Sequence, residues 1–297
     1  MKAKIKEIVL DKYILELIDT QEEINASIRG ITKKKNNILV GDLVEVKKSY
    51  ERYMIENVLE RKNSLIRPPV ANIDNLVIIV SLANPRPDFF LLDKQIVLCM
   101  SKNINPIIVI NKVDLNLTDK TNSDISYIRE VYMKLGIKVI EVSSKESIGI
   151  NKLKEALKNK TSAFSGNSGV GKSSIINSIF NNKINKAIVS DVARKTNRGK
   201  HTTKHVRIYK DECMYILDTP GFSSYELYDI DYKKLKEFYP EFEKYKCEYL
   251  DCNHVNESID VCKVKGAVNK NLIDKDRYNR YIELFSKLKE QDDKKYK

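Results

Sequence analysis

The segment Gly166-Asn167-Ser168-Gly169-Val170-Gly171-Lys172-Ser173 gathers residue types that suit one task, holding a polyphosphate. Glycines at its first and sixth positions let the backbone turn tightly, so that N–H groups can wrap phosphate oxygens. Lys172 then reaches the β and γ oxygens, and Ser173, with Ser174 following, offers a hydroxyl to Mg²⁺. The segment lies between an apolar run at 162–165 and a helical pattern at 172–180, the strand-to-helix setting that this chemistry needs. Asp218-Thr219-Pro220-Gly221 closes a second apolar run. There the acid can hold magnesium through water, and the Gly221 N–H can sense a γ-phosphate.

A third constellation, Asn111-Lys112-Val113-Asp114, has the chemistry to read a base. The Asp114 carboxylate can accept from N1 and N2 of guanine, a pairing that adenine does not offer. Asn111 braces the neighbouring loops and the Lys112 stem covers the base, while Ser143-Ser144-Lys145, after the next apolar run, presents a backbone N–H to guanine O6. The order of these sets is unusual. In ordinary GTPases the phosphate loop precedes the base-reading tetrapeptide; here it follows, as if the same elements had been circularly permuted.

Between the phosphate loop and Asp218, Gly199-Lys200-His201-Thr202-Thr203 offers hydroxyls for a second magnesium ligand, with Thr203 preferred. Residues 183–210 carry nine Lys and Arg against one acid, Asp191, a clustering that suits an RNA partner. Many GTPases place a water-orienting Gln directly after Asp-x-x-Gly, and here that position is Phe222. An apolar ring cannot orient water, so His201 is the candidate catalytic residue beside Lys172.

Cys247, Cys252, His254 and Cys262 supply three thiolates and one imidazole within sixteen residues, a set that fits a closed tetrahedral zinc site. With no open position for water, such a zinc is structural. It would hold together a unit too poor in apolar residues to fold alone. Cys99 and Cys213 stand apart in apolar segments and are expected to be buried thiols.

The elements that must position these residues follow from periodicity. Residues 1–67 contain five short alternating segments, at 4–10, 13–18, 23–28, 42–47 and 53–59, which is the pattern of a small β-barrel of the OB type. The basic loop Lys33-Lys34-Lys35 is available for phosphate. Pro68-Pro69 breaks the chain, and 68–228 then alternates buried strands (76–81, 107–111, 138–142, 162–165, 206–209, 214–218) with helices (91–102, 125–135, 150–158, 172–180). That is an α/β sheet covered on both faces. Residues 229–297 form a third, Lys/Glu/Tyr-rich unit that holds the cysteine cluster and ends in a charged helix from about 274. A formal charge of +12 favours a polyanionic partner. No apolar run spans a bilayer and no signal peptide opens the chain, so a cytoplasmic monomer with no membrane partner is expected.

Taken together, these residues resemble the ribosome small-subunit-dependent GTPases, the family called RsgA, YjeQ or YloQ. The resemblance covers nearly the whole chain. It runs from Arg67-Pro68-Pro69-Val70-Ala71-Asn72-Ile73-Asp74 through the base-reading, phosphate and His201-containing motifs. It continues through Asp218 to Phe222, the Cys-Cys-His-Cys cluster, and Arg277-Tyr278 with Tyr281. Asn167 is a departure, since Gln is the commoner residue there. The resemblance implies an OB-fold, a permuted GTPase domain and a zinc-binding C-terminal domain. It also implies a GTP hydrolase that binds the 30S subunit and its rRNA late in maturation, is stimulated by it and then dissociates, with His201 proposed to be catalytic. A large-subunit assembly GTPase, a passive RNA-binding switch and an ATP-dependent enzyme remain the alternatives.

Overall fold

The structure is a computed structural model that describes residues 1–295 apart from 11, 29–36, 51, 83–84, 116–117, 182–205, 212, 219–226 and 228. Its N-terminal strands are β1 (Lys2–Val9), β2 (Lys12–Leu17), β3 (Glu23–Ile28), β4 (Leu43–Ser49) and β5 (Arg52–Val58). They pair in the order β1-β2-β3-β5-β4, with β3 and β5 parallel, and β1 also pairs with β4. This closed, mostly antiparallel arrangement is the OB-type barrel expected from the sequence. Alternating side chains fill it, with Ala3, Ile5, Leu15, Val44 and Ile55 fully buried.

After the short hairpin β6 (Ser64–Leu65) and β7 (Val70–Ala71), strands and helices alternate. The strands are β8 (Asn75–Ser81), β9 (Asn105–Asn111), β10 (Lys138–Val142), β11 (Thr161–Ser165), β12 (Arg207–Asp211) and β13 (Met214–Asp218). The helices are α1 (Phe89–Ser101), α2 (Asp119–Tyr132), α3 (Ile150–Leu157) and α4 (Lys172–Ile179). Strands β10-β9-β8-β11-β13 run parallel in that order. Every residue of β8 is buried, because both faces of the sheet are covered. Val77 and Ile79 face the layer of α3 and α4, while Ile78 and Val80 face that of α1 and α2.

The sheet does not stop at the barrel. β12 pairs antiparallel with β13 on one side and, through Glu7 and Arg207, with β1 on the other, giving a continuous sheet of eleven strands. Polar contacts thicken this junction: Lys4 Nζ donates to Thr161 Oγ1 at 3.0 Å and lies 4.0 Å from the Tyr215 ring centroid. Burial pushes the Lys4 ammonium down from its usual range, while the nearby Asp74 and Glu16 carboxylates oppose that shift.

The C-terminal unit has two 3₁₀ turns (Tyr232–Phe238 and Pro240–Phe242) and two helices, α5 (Lys263–Asn269) and α6 (Lys275–Lys295). Its Tyr239, Phe242, Tyr278 and Tyr281 belong to the same hydrophobic cluster as Ile96 and Val97 of α1. Two expectations needed correction. Helix α2 begins six residues before 125, where Thr118 caps a polar first turn that carries no apolar signal. Cys213 is half-buried, in the turn between β12 and β13, whereas Cys99 is buried. Among the described residues no helix is long and apolar enough to cross a membrane.

Candidate nucleotide and metal sites

The five parallel strands end at one edge of the sheet, and the chemistry-bearing segments follow those ends. Asn111 closes β9, Ser143 follows β10, Gly166 follows β11 and Asp218 closes β13. In an open α/β sheet this edge is where ligands bind. His201, Thr203 and Gly221 lie outside the described residues.

The two bracketing glycines have steric causes. At Gly166 (φ +141°) a Cβ would lie 2.5 Å from the Ile79 carbonyl oxygen, and at Gly171 (φ +97°) it would lie 2.2 Å from Asn111 Nδ2. Neither position has room for a side chain. Asn111 Nδ2 donates to the Val170 carbonyl at 2.8 Å and Lys112 Nζ to that of Gly169 at 2.9 Å. The base-reading and phosphate loops are thereby braced into one surface. Val170 is buried and pins the loop, while Ser168, Gly169, Ser173 and Ser174 are exposed and Asn167 is half-buried. Lys172 Nζ donates to the carbonyls of Gly166 and Asn167, the latter at 3.1 Å, which keeps the ammonium within the turn of its own loop.

At the base-reading end, the Ser143 hydroxyl holds the Asp114 carboxyl below its usual range, so the group is an ionised acceptor at neutral pH. Ser143 is otherwise engaged: its N–H donates to Ile148 O at 3.0 Å and its Oγ accepts from Glu146 N at 3.0 Å. Of the three residues from which one backbone N–H is expected to reach guanine O6, Ser143 has its N–H spent on Ile148. The N–H groups of half-buried Ser144 and exposed Lys145 remain. Ser144 O accepts from Ser178 Oγ of α4 at 3.1 Å, tying this loop to the phosphate-loop helix.

In the C-terminal unit, Cys247, Cys252, His254 and Cys262 bring one donor atom each to within 4.8 Å of the others. His254 Nδ1 lies 3.5, 3.3 and 3.5 Å from the three sulfurs, and Cys247 Sγ lies 3.9 Å from Cys262 Sγ. A tetrahedral zinc with ordinary bond lengths gives edges of about 3.5–3.8 Å, so the donor set fits. Burial pushes the Cys252 and Cys262 thiols up and the His254 imidazole down to about 4. A divalent cation would reverse the penalty on the thiolates. The surrounding backbone is held as well: Tyr278 OH donates to His254 O at 2.6 Å, and Glu257 accepts from Asn253 N and Val255 N at 2.8 and 2.9 Å.

Comparison with known proteins gives the family. The RsgA GTPase family model matches residues 58–228. The small ribosomal subunit biogenesis GTPase RsgA of Ruminiclostridium cellulolyticum is 37% identical over 285 residues, covering 94% of this chain and 90% of that protein. Its counterpart in Caldanaerobacter subterraneus subsp. tengcongensis is 40% identical over 280 residues, with 92% of each chain covered. The chain belongs to the RsgA GTPase family. As an RsgA GTPase it is a GTP hydrolase with permuted motifs. Among solved structures, YjeQ from Thermotoga maritima matches with a TM-score of 0.83 and 33% identity, covering 97% of this chain and 98% of that one. YloQ, described as a circularly permuted GTPase, matches with a TM-score of 0.81 and 30% identity, covering 98% and 95%.

Sequence reasoning missed one polar cluster in this RsgA GTPase. Asp93 of α1 and Arg277 of α6 are each 1% exposed and form an ion pair. Arg280 Nε also donates to Asp93, Tyr132 OH donates to Asp93 Oδ1 at 2.8 Å, and Arg277 Nε donates to Glu241 Oε1. The available signal was a lone acid inside the apolar run Leu91-Leu92-Asp93-Lys94-Gln95-Ile96-Val97-Leu98.

Proposed function

We propose that this RsgA GTPase binds GTP at the braced edge of its sheet and acts in small ribosomal subunit biogenesis, the role that the names of its relatives print. It hydrolyses GTP to GDP and phosphate when the 30S subunit stimulates it, and then dissociates. The observation that carries this reading is the coupling of two loops: Asn111 and Lys112 hold the phosphate-loop carbonyls, so base recognition and phosphate binding share one rigid frame. Asp114 reads guanine, with Ser144 and Lys145 supplying N–H groups and Ser143 orienting the acid. Gly166 to Ser174 cradle the phosphates, and Lys172 neutralises the β and γ oxygens. Magnesium, for which Ser173 and Thr203 are the protein ligands and Asp218 a partner through water, would supply further charge neutralisation there. Gly221 senses the γ-phosphate and His201 orients the water.

Within this reading 1–67 is the barrel, 68–228 the GTPase unit and 229–297 the zinc unit, in a cytoplasmic monomer. The barrel, the basic segment 183–210 and the zinc unit meet the rRNA. GTP turnover with and without purified 30S subunits tests the proposal, and strong stimulation by 30S alone is the expected result. Equal stimulation by 50S subunits, or none by either, would overturn it.

Base recognition gives a separate prediction. Asp114→Asn exchanges a bidentate acceptor for an amide, which leaves the N1–H and N2–H₂ of guanine poorly matched but can donate to the 2-oxo group of xanthine. GTP affinity is expected to fall by about 10²-fold or more and XTP affinity to rise. Competition binding with GTP, XTP and ATP reads both changes.

A further inference from the structure

Helix α1 lies between the C-terminal unit and the sheet, and it carries one buried polar side chain towards each. Asp93 takes the guanidinium groups of Arg277 and Arg280 from α6. Two residues further on, about 200° around the helix, Gln95 is 1% exposed and its Nε2 donates to Ser165 Oγ at 2.8 Å. Ser165 is itself fully buried and is the last residue of β11. The next residue is Gly166, whose backbone abuts the Ile79 carbonyl and opens the phosphate loop. Gln95, Gly166, Asn167 and Val170 line one narrow cavity beneath that loop.

A buried amide among apolar neighbours is costly unless paired, so this hydrogen bond fixes both partners. It fixes them where a small shift matters most, at the residue from which the phosphate-binding backbone departs. We infer that Gln95 is a positioning residue for the phosphate loop and that α1 is a strut through which the docking of α6 on Asp93 sets where the loop begins. The inference rests on the reading of residues 166–173 as the nucleotide site. It makes nucleotide affinity depend on a contact made by the C-terminal unit, at a helix that itself touches no phosphate.

The test uses the full-length chain with Gln95→Met, which keeps side-chain volume and helix propensity, Ser165→Ala, the double variant, and Arg280→Gln. Affinities for fluorescent GDP and a fluorescent non-hydrolysable GTP analogue are measured, together with kcat, KM and melting temperature. Gln95→Met and Ser165→Ala should each weaken binding by about 10-fold, and the double variant should lose no more than the worse single. Arg280→Gln should weaken binding by about threefold, an effect absent in the Gln95→Met background. Gln95→Met that lowers the melting temperature but keeps both affinities within about twofold of wild type would reduce the residue to packing and overturn the inference. Additive losses in the double variant would do the same. If the wild-type chain binds no guanine nucleotide, the site reading itself fails and takes the inference with it.

Discussion

Lys172→Ala is expected to lower kcat/KM for GTP by about 10²–10³-fold while the chain stays folded. In the proposed site the ammonium is a preplaced positive charge at the oxygens where negative charge develops as the terminal phosphoryl group leaves. Its present hydrogen bonds to the Gly166 and Asn167 carbonyls keep it inside the loop, so little reorganisation is needed for it to turn towards phosphate. The loss should fall mainly on kcat, and GTP affinity should drop more than GDP affinity, because the side chain reaches the γ as well as the β oxygens. Lys172→Arg should rescue poorly: a planar fork does not replace a compact point charge in so tight a turn. Steady-state phosphate release, nucleotide titrations and melting curves together make the measurement. Turnover within about tenfold of wild type would show that phosphate neutralisation comes from elsewhere.

The sequence made the phosphate loop and its partner loops legible for a physical reason. Strands buried on both faces read as uninterrupted apolar runs, and polar residues at the ends of such runs stand out. The ends of β9, β10, β11 and β13 were therefore visible before the sheet was. The cysteine cluster was legible because its ligands are close in sequence. Four things were not. The polar first turn of α2 has no apolar periodicity, and its only mark is the Thr118 cap. The engagement of the Ser143 N–H by Ile148 depends on a local bridge that residue types do not encode. The pairing of Asp93 with Arg277 joins residues 184 positions apart, so no local pattern announces it. The continuity of β12 with barrel strand β1 is likewise a long-range fact.

With zinc held by Cys247, Cys252, His254 and Cys262 as proposed, chelation, or replacing Cys252 by serine, is expected to lower the stability of the whole chain. Structural zinc in small domains contributes about 10–16 kcal/mol of binding free energy, comparable to or larger than the total stability of an ordinary domain. None of the four ligands lies in a helix or strand, and Tyr278, Tyr281 and Lys265 donate to the carbonyls of His254, Asn253 and Val255, so a bound metal and these hydrogen bonds would hold the same short segment. Melting this unit uncovers the outer face of α1, because Tyr239, Phe242 and Tyr281 pack in one cluster with Ile96 and Val97. Each large apolar side chain returned to water costs about 1.5–3 kcal/mol, so the GTPase unit should lose stability along with its neighbour. Calorimetry of the zinc-loaded and chelated chain, with metal content measured in parallel, should show the transition moving down by well over 10 °C on metal loss. Acidification should release the metal for the same reason, because protons compete for the three thiolates. A chelated chain that melts within a few degrees of the loaded one would mean that the four side chains form an ordinary core. A GTPase transition left in place while the C-terminal unit melts would mean that α1 does not need α6 against it.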